Sequence, residues 1–188
     1  MNLLLAALLV ASFAGSAAAF AAERYPEFIA HKGIALSRVE KSKVIAYDPV
    51  AAFNDRIAVA DCTRYETAYR GVTWCFESDK NLNTFVAQET AKGASLRDRY
   101  LPMFGGRCSY GVSNGKLTPE GDPRTALRIH FGERAQDARV FLNGSMDARA
   151  NFLGHTEARI ASAQHYWWAA QHLGLLVPND QYVARSAK

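Results

Sequence analysis

The run "YETAYRGVTWCFES", residues 65–78, constrains this chain more than any other stretch. Two β-favouring segments flank Arg70-Gly71, the pattern of a β-hairpin over about residues 64–77. With the turn at Arg70-Gly71, Tyr69 faces Val72, Thr67 faces Trp74 and Tyr65 faces Phe76. Tyr65, Tyr69, Trp74 and Phe76 then share one aromatic face, the side that a strand pair buries against a helix. Cys75 points the other way, beside Glu66. In this register Cys62 lies roughly 13 Å along the ladder from the partner of Cys75. A disulfide needs Cα atoms within about 7 Å, so a Cys62–Cys75 bridge requires Cys62 to leave the strand and fold back.

Around the hairpin the pattern alternates between short strands and short helices. Residues 20–42 read as an arm laid on the domain, with a short strand at 34–39. Val44–Tyr47 reads as a strand end, and Asp48-Pro49 supply an N-cap and a first helical residue for a helix through Phe53. Ser78 caps a helix carrying Leu82, Phe85 and Val86, closed by Gly93, and 96–104 adds a further helical turn. "ALRIHF" (126–131) and "ARVFLN" (138–143) read as strands. From Ser145 to Leu173 the pattern is helical, broken at Gly154-His155-Thr156, with Ile160, Ala163, Trp167 and Ala170 on one face of the second piece. After Pro178 the sequence predicts a loose tail. The fold class is α+β: a small antiparallel sheet that includes the hairpin, packed by several helices, with a long helical C-terminal region.

The first 19 residues are apolar or small and carry no charged side chain. A core at 3–13 is followed by Ala17-Ala18-Ala19. This predicts a signal peptide cleaved after Ala19 or Ala21, and an exported protein, periplasmic or secreted, with no stable membrane span after cleavage. Removing residues 1–19 takes away no charge, so the formal +4 stays with the mature chain. Its cations are scattered among acids, as at Arg97-Asp98-Arg99, and form no phosphate-tracking cluster. Nucleic acid is therefore excluded as a partner. In an oxidising compartment three cysteines allow one disulfide and one leftover thiol.

Five landmarks then occur in register: "YDPVAAF" (47–53), the Tyr69/Gly71/Trp74/Phe76/Ser78 spacing, "YLPMFGGRCSYGVSNGKL" (100–117), "VFLN" (140–143) and the Ile160/Ala163/Trp167 spacing. Together they resemble exported YHS-domain proteins over about residues 43–170. The resemblance implies a compact α+β domain. It divides the chain into a leader (1–19), an arm (20–42), a YHS-like domain (43–173) and a tail (174–188). It also implies a metal-binding role, which is proposed for the wider family. In those members the hairpin ends in Phe-Cys-Ser-x-x-Cys. Here the matching positions are Phe76, Glu77, Ser78 and Asn81, without either cysteine. Phe152 stands where the family has Trp, and His165-Tyr166 stand where it has small or amide residues.

Cys108, set behind Gly105-Gly106, is the leading site candidate. As a thiolate it suits a soft, copper-like ion, with the Met103 thioether and the His165 imidazole as companion ligands. Tyr47, Asp48, Tyr110 and Asn143 are candidate polar lining. The same residues also fit structural roles: a small buried thiol or half of a disulfide for Cys108, and an N-cap for Asp48. The sequence holds no HExxH, nucleophile elbow, P-loop or GxGxxG pattern. The first expectation is thus a non-enzymatic exported binding module with a soft metal at Cys108. The alternatives are a thiol-dependent enzyme or redox protein using Cys108, and a structural or protein-interaction domain whose partner surface includes the C-terminal helix.

Overall fold

The computed structural model describes residues 24–87, 96–130 and 138–182. The expected leader, the helix end at Gly93 and Phe131 lie outside these residues. In chain order the elements are β1 (Tyr25–Pro26), β2 (Ala30–His31), β3 (Ile34–Ala35), β4 (Ser37–Glu40), β5 (Lys43–Ala46) and α1 (Pro49–Phe53). The hairpin strands β6 (Glu66–Tyr69) and β7 (Val72–Cys75) follow, then α2 (Asp79–Val86) and two 3-10 turns, Leu96–Tyr100 and Met103–Gly106. The remainder is α3 (Ser109–Ser113), β8 (Asp122–His130), β9 (Ala138–Asn143), α4 (Met146–Leu153), α5 (Thr156–His172) and β10 (Leu176–Val177).

The hairpin has the expected register: Glu66 pairs with Cys75, Thr67 with Trp74 and Tyr69 with Val72. Period-2 alternation dictates this, because a one-residue slip would turn the aromatics to solvent. Trp74 and Phe76 are fully buried, while Tyr65 and Tyr69 pack at the margin of the same cluster. Their cover is Phe85 of α2, whose ring meets Tyr69, Trp74, Phe76 and Tyr100 at centroid distances of 5.3–6.3 Å. Burying one such phenylalanine contributes about 1.5–3 kcal/mol. The helix lies there because Ser78 caps it, its hydroxyl accepting from Asn81 N.

Several small sheets replace the single antiparallel sheet expected from sequence. The one that holds the hairpin is mixed, in the order β2-β3-β7-β6, with β3 parallel to β7. Its extra strands come from the arm. Gly33, at φ 79°, reverses the chain so that its carbonyl accepts from Thr73 N at 2.9 Å. The arm's expected single strand is broken at Leu36, which sits at φ 46°. Strand β8 begins at Asp122, four residues before "ALRIHF", and pairs antiparallel with β9. The described part of the tail is tied down: β10 pairs parallel with β1, and Asn179 exchanges two 2.8 Å hydrogen bonds with the Phe28 backbone.

Cys62 does fold back. Asp61 N donates to Phe76 O, and Tyr65 N donates to Asp61 O, so the chain turns just before β6. That turn brings the Cα of Cys62 to 4.9 Å from that of Cys75, and the two form a disulfide. Helix α5 sets Ile160, Ala163 and Ala170 inward, with Trp167 packed against a second core cluster around Phe104, Phe141 and Phe152. Among the described residues no helix is long and apolar enough to cross a membrane.

Candidate functional site

The landmark "GGRCSYGVSNGKL" contains a helix that its sequence conceals. Cys108 is the N-cap of the five-residue α3, and its Sγ accepts from Gly111 N at 3.4 Å. The residue is 5 % exposed. Its backbone is held on both sides: Cys108 N donates to Pro119 O at 2.9 Å, and a parallel bridge joins Cys108 to Leu142. Gly144 and Gly111 lie against the Cys108 side chain. A Cβ added at Gly144 would lie 3.7 Å from Sγ, and one at Gly111 would lie 3.1 Å from Pro119 Cγ. Cys108 therefore serves as both small filler and cap acceptor.

The structure brings Tyr110 and Asn143 beside Cys108 at the first turn of α3. Asn143 Oδ1 accepts from Tyr110 N at 3.2 Å, and the Asn143 backbone is clamped by Thr125 Oγ1 through two 2.7 Å bonds. The Tyr110 ring is covered by the Arg159 guanidinium at 4.8 Å. Asn143 Nδ2 and Ser109 Oγ are buried without a hydrogen-bond partner among the described residues. Met103 packs against the second core cluster, and His165 stands on the exposed side of α5. The thiol thus faces the interior while the imidazole faces solvent. Among the described residues no three His, Cys, Asp or Glu side chains are arranged to hold a metal ion.

Tyr47 and Asp48 belong to another neighbourhood. Tyr47 is buried in the first cluster and bridges to Val59. Asp48 is fully buried and caps α1, with Oδ1 accepting from Val50 N at 2.7 Å and Ala51 N at 2.9 Å. Its Oδ2 accepts from Glu77 N at 2.9 Å and Asn81 Nδ2 at 2.8 Å. Glu77 and Asn81 occupy the two positions where the YHS resemblance would place cysteines. Here they close a network instead: Asn81 Nδ2 also donates to Glu77 Oε1 at 3.1 Å, and Glu77 is bound by Arg56. The Arg56 hydrogen bond holds the Glu77 carboxyl below the usual carboxylate range. Four donors saturate the Asp48 carboxylate, so its lone pairs are used within the fold.

Arg107 has a structural role that sequence reasoning missed. It is fully buried, and its guanidinium is spread over backbone carbonyls: Nε donates to Leu117 O at 2.8 Å, Nη1 to Glu27 O at 3.1 Å and Nη2 to Pro26 O at 2.6 Å. The Trp167 ring lies 5.3 Å away. Burial pushes its pKa down to about 10, opposed by Tyr25 and Tyr182, and it remains a cation at neutral pH. The available signal was a charged residue between a glycine pair and a buried cysteine. Trp167 packs against the second core cluster, and its neighbour Trp168 lies at the rim. Trp168 is 57 % exposed and its ring stacks on His172 at a centroid distance of 3.9 Å.

Comparison with protein-family models, curated proteins and solved structures finds no match for this chain.

Proposed function

We propose that this chain is an exported, non-catalytic binding module of the YHS type that works by surface contact, with the outer face of α5 as its contact surface. The observation that carries this reading is the exposure of Trp168, stacked on His172 beside a 73 % exposed Leu173. Large aromatics with one open face are the anchors that recognition surfaces use. Export is supported by the apolar, uncharged first 19 residues and by the Cys62–Cys75 disulfide, which suits an oxidising compartment. The soft-metal reading of Cys108 ranks lower because its Sγ is committed to Gly111 N and His165 points outward.

Anaerobic titration with Cu(I), Zn(II) and Ni(II), alongside a thiol count, tests the ranking. The expected result is no stoichiometric uptake and one thiol, Cys108, that is alkylated only after unfolding. Stoichiometric Cu(I) binding that disappears in Cys108→Ser would replace surface contact with the metal reading. Rapid alkylation of the folded protein would favour the thiol-enzyme alternative.

A further inference from the structure

The sequence contains two Asn-Gly steps, Asn114-Gly115 and Asn143-Gly144, and the fold treats them in opposite ways. A glycine has no Cβ to shield its backbone nitrogen, so that nitrogen can reach the side-chain amide carbon of a preceding asparagine. At Asn143 the fold blocks this. The residue is fully buried, its Oδ1 accepts from Tyr110 N at 3.2 Å, and Thr125 Oγ1 bonds both its N and its O at 2.7 Å. Asn114 is the C-cap of the five-residue α3, and both it and Gly115 are exposed. Arg159 Nη1 donates to Asn114 Oδ1 at 2.9 Å, while Asn114 Nδ2 donates to Tyr110 O at 2.7 Å. The Gly115 nitrogen is restrained by one bond, its donation to Val112 O at 2.9 Å. That bond belongs to the last turn of a short helix with an exposed end, the kind of contact that opens locally without unfolding the core.

We propose that Asn114 is a site of covalent self-modification, at which the Gly115 nitrogen converts the Asn114 side-chain amide to an acid with Arg159 assisting. When the last turn of α3 opens, the Gly115 nitrogen gives its proton to solvent base and attacks Asn114 Cγ. A Cγ–N bond forms, the Cγ–Nδ2 bond breaks, and Nδ2 takes a proton from solvent and leaves as ammonia. The resulting cyclic imide adds one water, which opens it at one carbonyl or the other to give aspartate or isoaspartate. Nothing is oxidised or reduced. Arg159 assists because negative charge builds on Asn114 Oδ1 during the attack, and its guanidinium already donates to that atom. It also holds the product, since an acid at 114 turns a neutral bond with Arg159 into a charge-assisted pair. The same change removes the donor to Tyr110 O and sets an acid oxygen against that carbonyl. Conversion therefore adds a negative charge between α3 and α5 and loosens the end of α3. The inference goes beyond the surface-contact reading and does not rest on it.

The test is timed incubation of the folded protein at mildly alkaline pH, followed by trypsin and mass spectrometry, with a zero-time sample to correct for the digestion. The two asparagines fall in separate tryptic peptides, 108–116 and 140–149, so Asn143 is an internal control. Expected is acid formation at Asn114 about tenfold or more faster than at Asn143 in the folded protein, with the two rates converging in urea. The Asn114 rate should rise with pH, because the attacking nitrogen must lose its proton. Arg159→Gln should slow Asn114 several-fold in the folded protein and leave its rate in urea unchanged. Asn114→Gln, whose longer side chain closes the ring less readily, should leave peptide 108–116 unmodified. Persistence of the Asn114 amide in the folded protein overturns the proposal. So do equal rates at the two asparagines before unfolding, or an Asn114 rate that Arg159→Gln fails to lower.

Discussion

At the scale of single residues, this fold depends on places where a side chain has no room. Gly105 is the clearest. It sits at φ 60°, and a Cβ there would lie 1.8 Å from Glu27 O and 2.8 Å from Arg107 Nη1. The preceding Phe104 is also left-handed, at φ 56°, and buried, so two successive residues hold a conformation that L side chains disfavour. Its neighbours enforce it: Ile29 N donates to Gly105 O at 2.8 Å and Arg107 N donates to Phe104 O at 3.2 Å. Gly33 provides an internal comparison, with φ 79° and nothing within 4 Å of an added Cβ. Gly33→Ala should cost about 1 kcal/mol, the backbone penalty alone. Gly105→Ala should cost more than about 3 kcal/mol, because the arm must also move. Urea denaturation of the two variants measures the contrast, and equal losses would show that the close approach to Glu27 contributes nothing.

At the scale of elements, the hairpin is the hub that the other segments join, and its disulfide ties down the turn leading into it. Cys62 and Cys75 are 13 residues apart. Closing a loop of about that size stabilises by about 3 kcal/mol through the unfolded chain. Cys62→Ser/Cys75→Ser should therefore lower the urea midpoint by a corresponding amount, with hairpin amides exchanging faster and the β8–β9 pair little affected. Hydrogen exchange separates that outcome from uniform loosening, which would show that the bridge does not act locally. The hairpin was legible in sequence because alternation and an Arg-Gly turn act over neighbouring residues. The caps at Asp48 and Ser78 were legible for the same reason. Helix α3 was not: its cap is a cysteine rather than Ser, Thr, Asp or Asn, and Gly111 sits in its middle. The parallel pairing of β3 with β7 was also hidden, because it joins segments far apart in sequence and no local pattern encodes it. The surroundings of Cys108 follow suit, since Pro119, Leu142 and Gly144 reach it from three separate stretches. The split of Trp167 inward and Trp168 outward was readable, because helical periodicity decides it once Ile160, Ala163 and Ala170 define the inner face.

At the scale of the whole molecule, the arm, the hairpin tip and the C-terminal segment form one junction around a buried cation. Arg107 holds Pro26 and Glu27 by their carbonyls, β1 lies along β10, and a Cβ on Gly71 would meet Asp180 N at 2.9 Å. The Glu27 carboxylate is drawn into this junction, where Arg70 pairs with it at 2.7 Å while also lying over the Phe28 ring. Burial raises the Glu27 pKa; Arg70 opposes that and Asp98 adds to it, so the carboxyl stays above its ordinary value. A raised carboxyl pKa means that the folded state favours the protonated form. The stability from this preference is fully present below the ordinary carboxylate range of about 4 and is lost as pH rises through the raised value. Glu77 and Asp122 behave in the opposite way. Arg56 lowers the first against its burial; Asp122 is pushed up by burial but held lower overall by Arg124. Their contribution is present above about pH 4 and is lost as pH falls through their lowered values. The parent protein should therefore lose thermal stability below about pH 4, while Glu27→Gln, which mimics the protonated side chain, should be more stable than the parent at pH 7. That advantage should shrink as pH falls and vanish near pH 4, where Glu27 is itself protonated. Melting curves of both proteins from pH 3 to pH 8 test this, and a Glu27→Gln protein less stable than its parent at pH 7 would show that the pair with Arg70 outweighs the cost of burying Glu27.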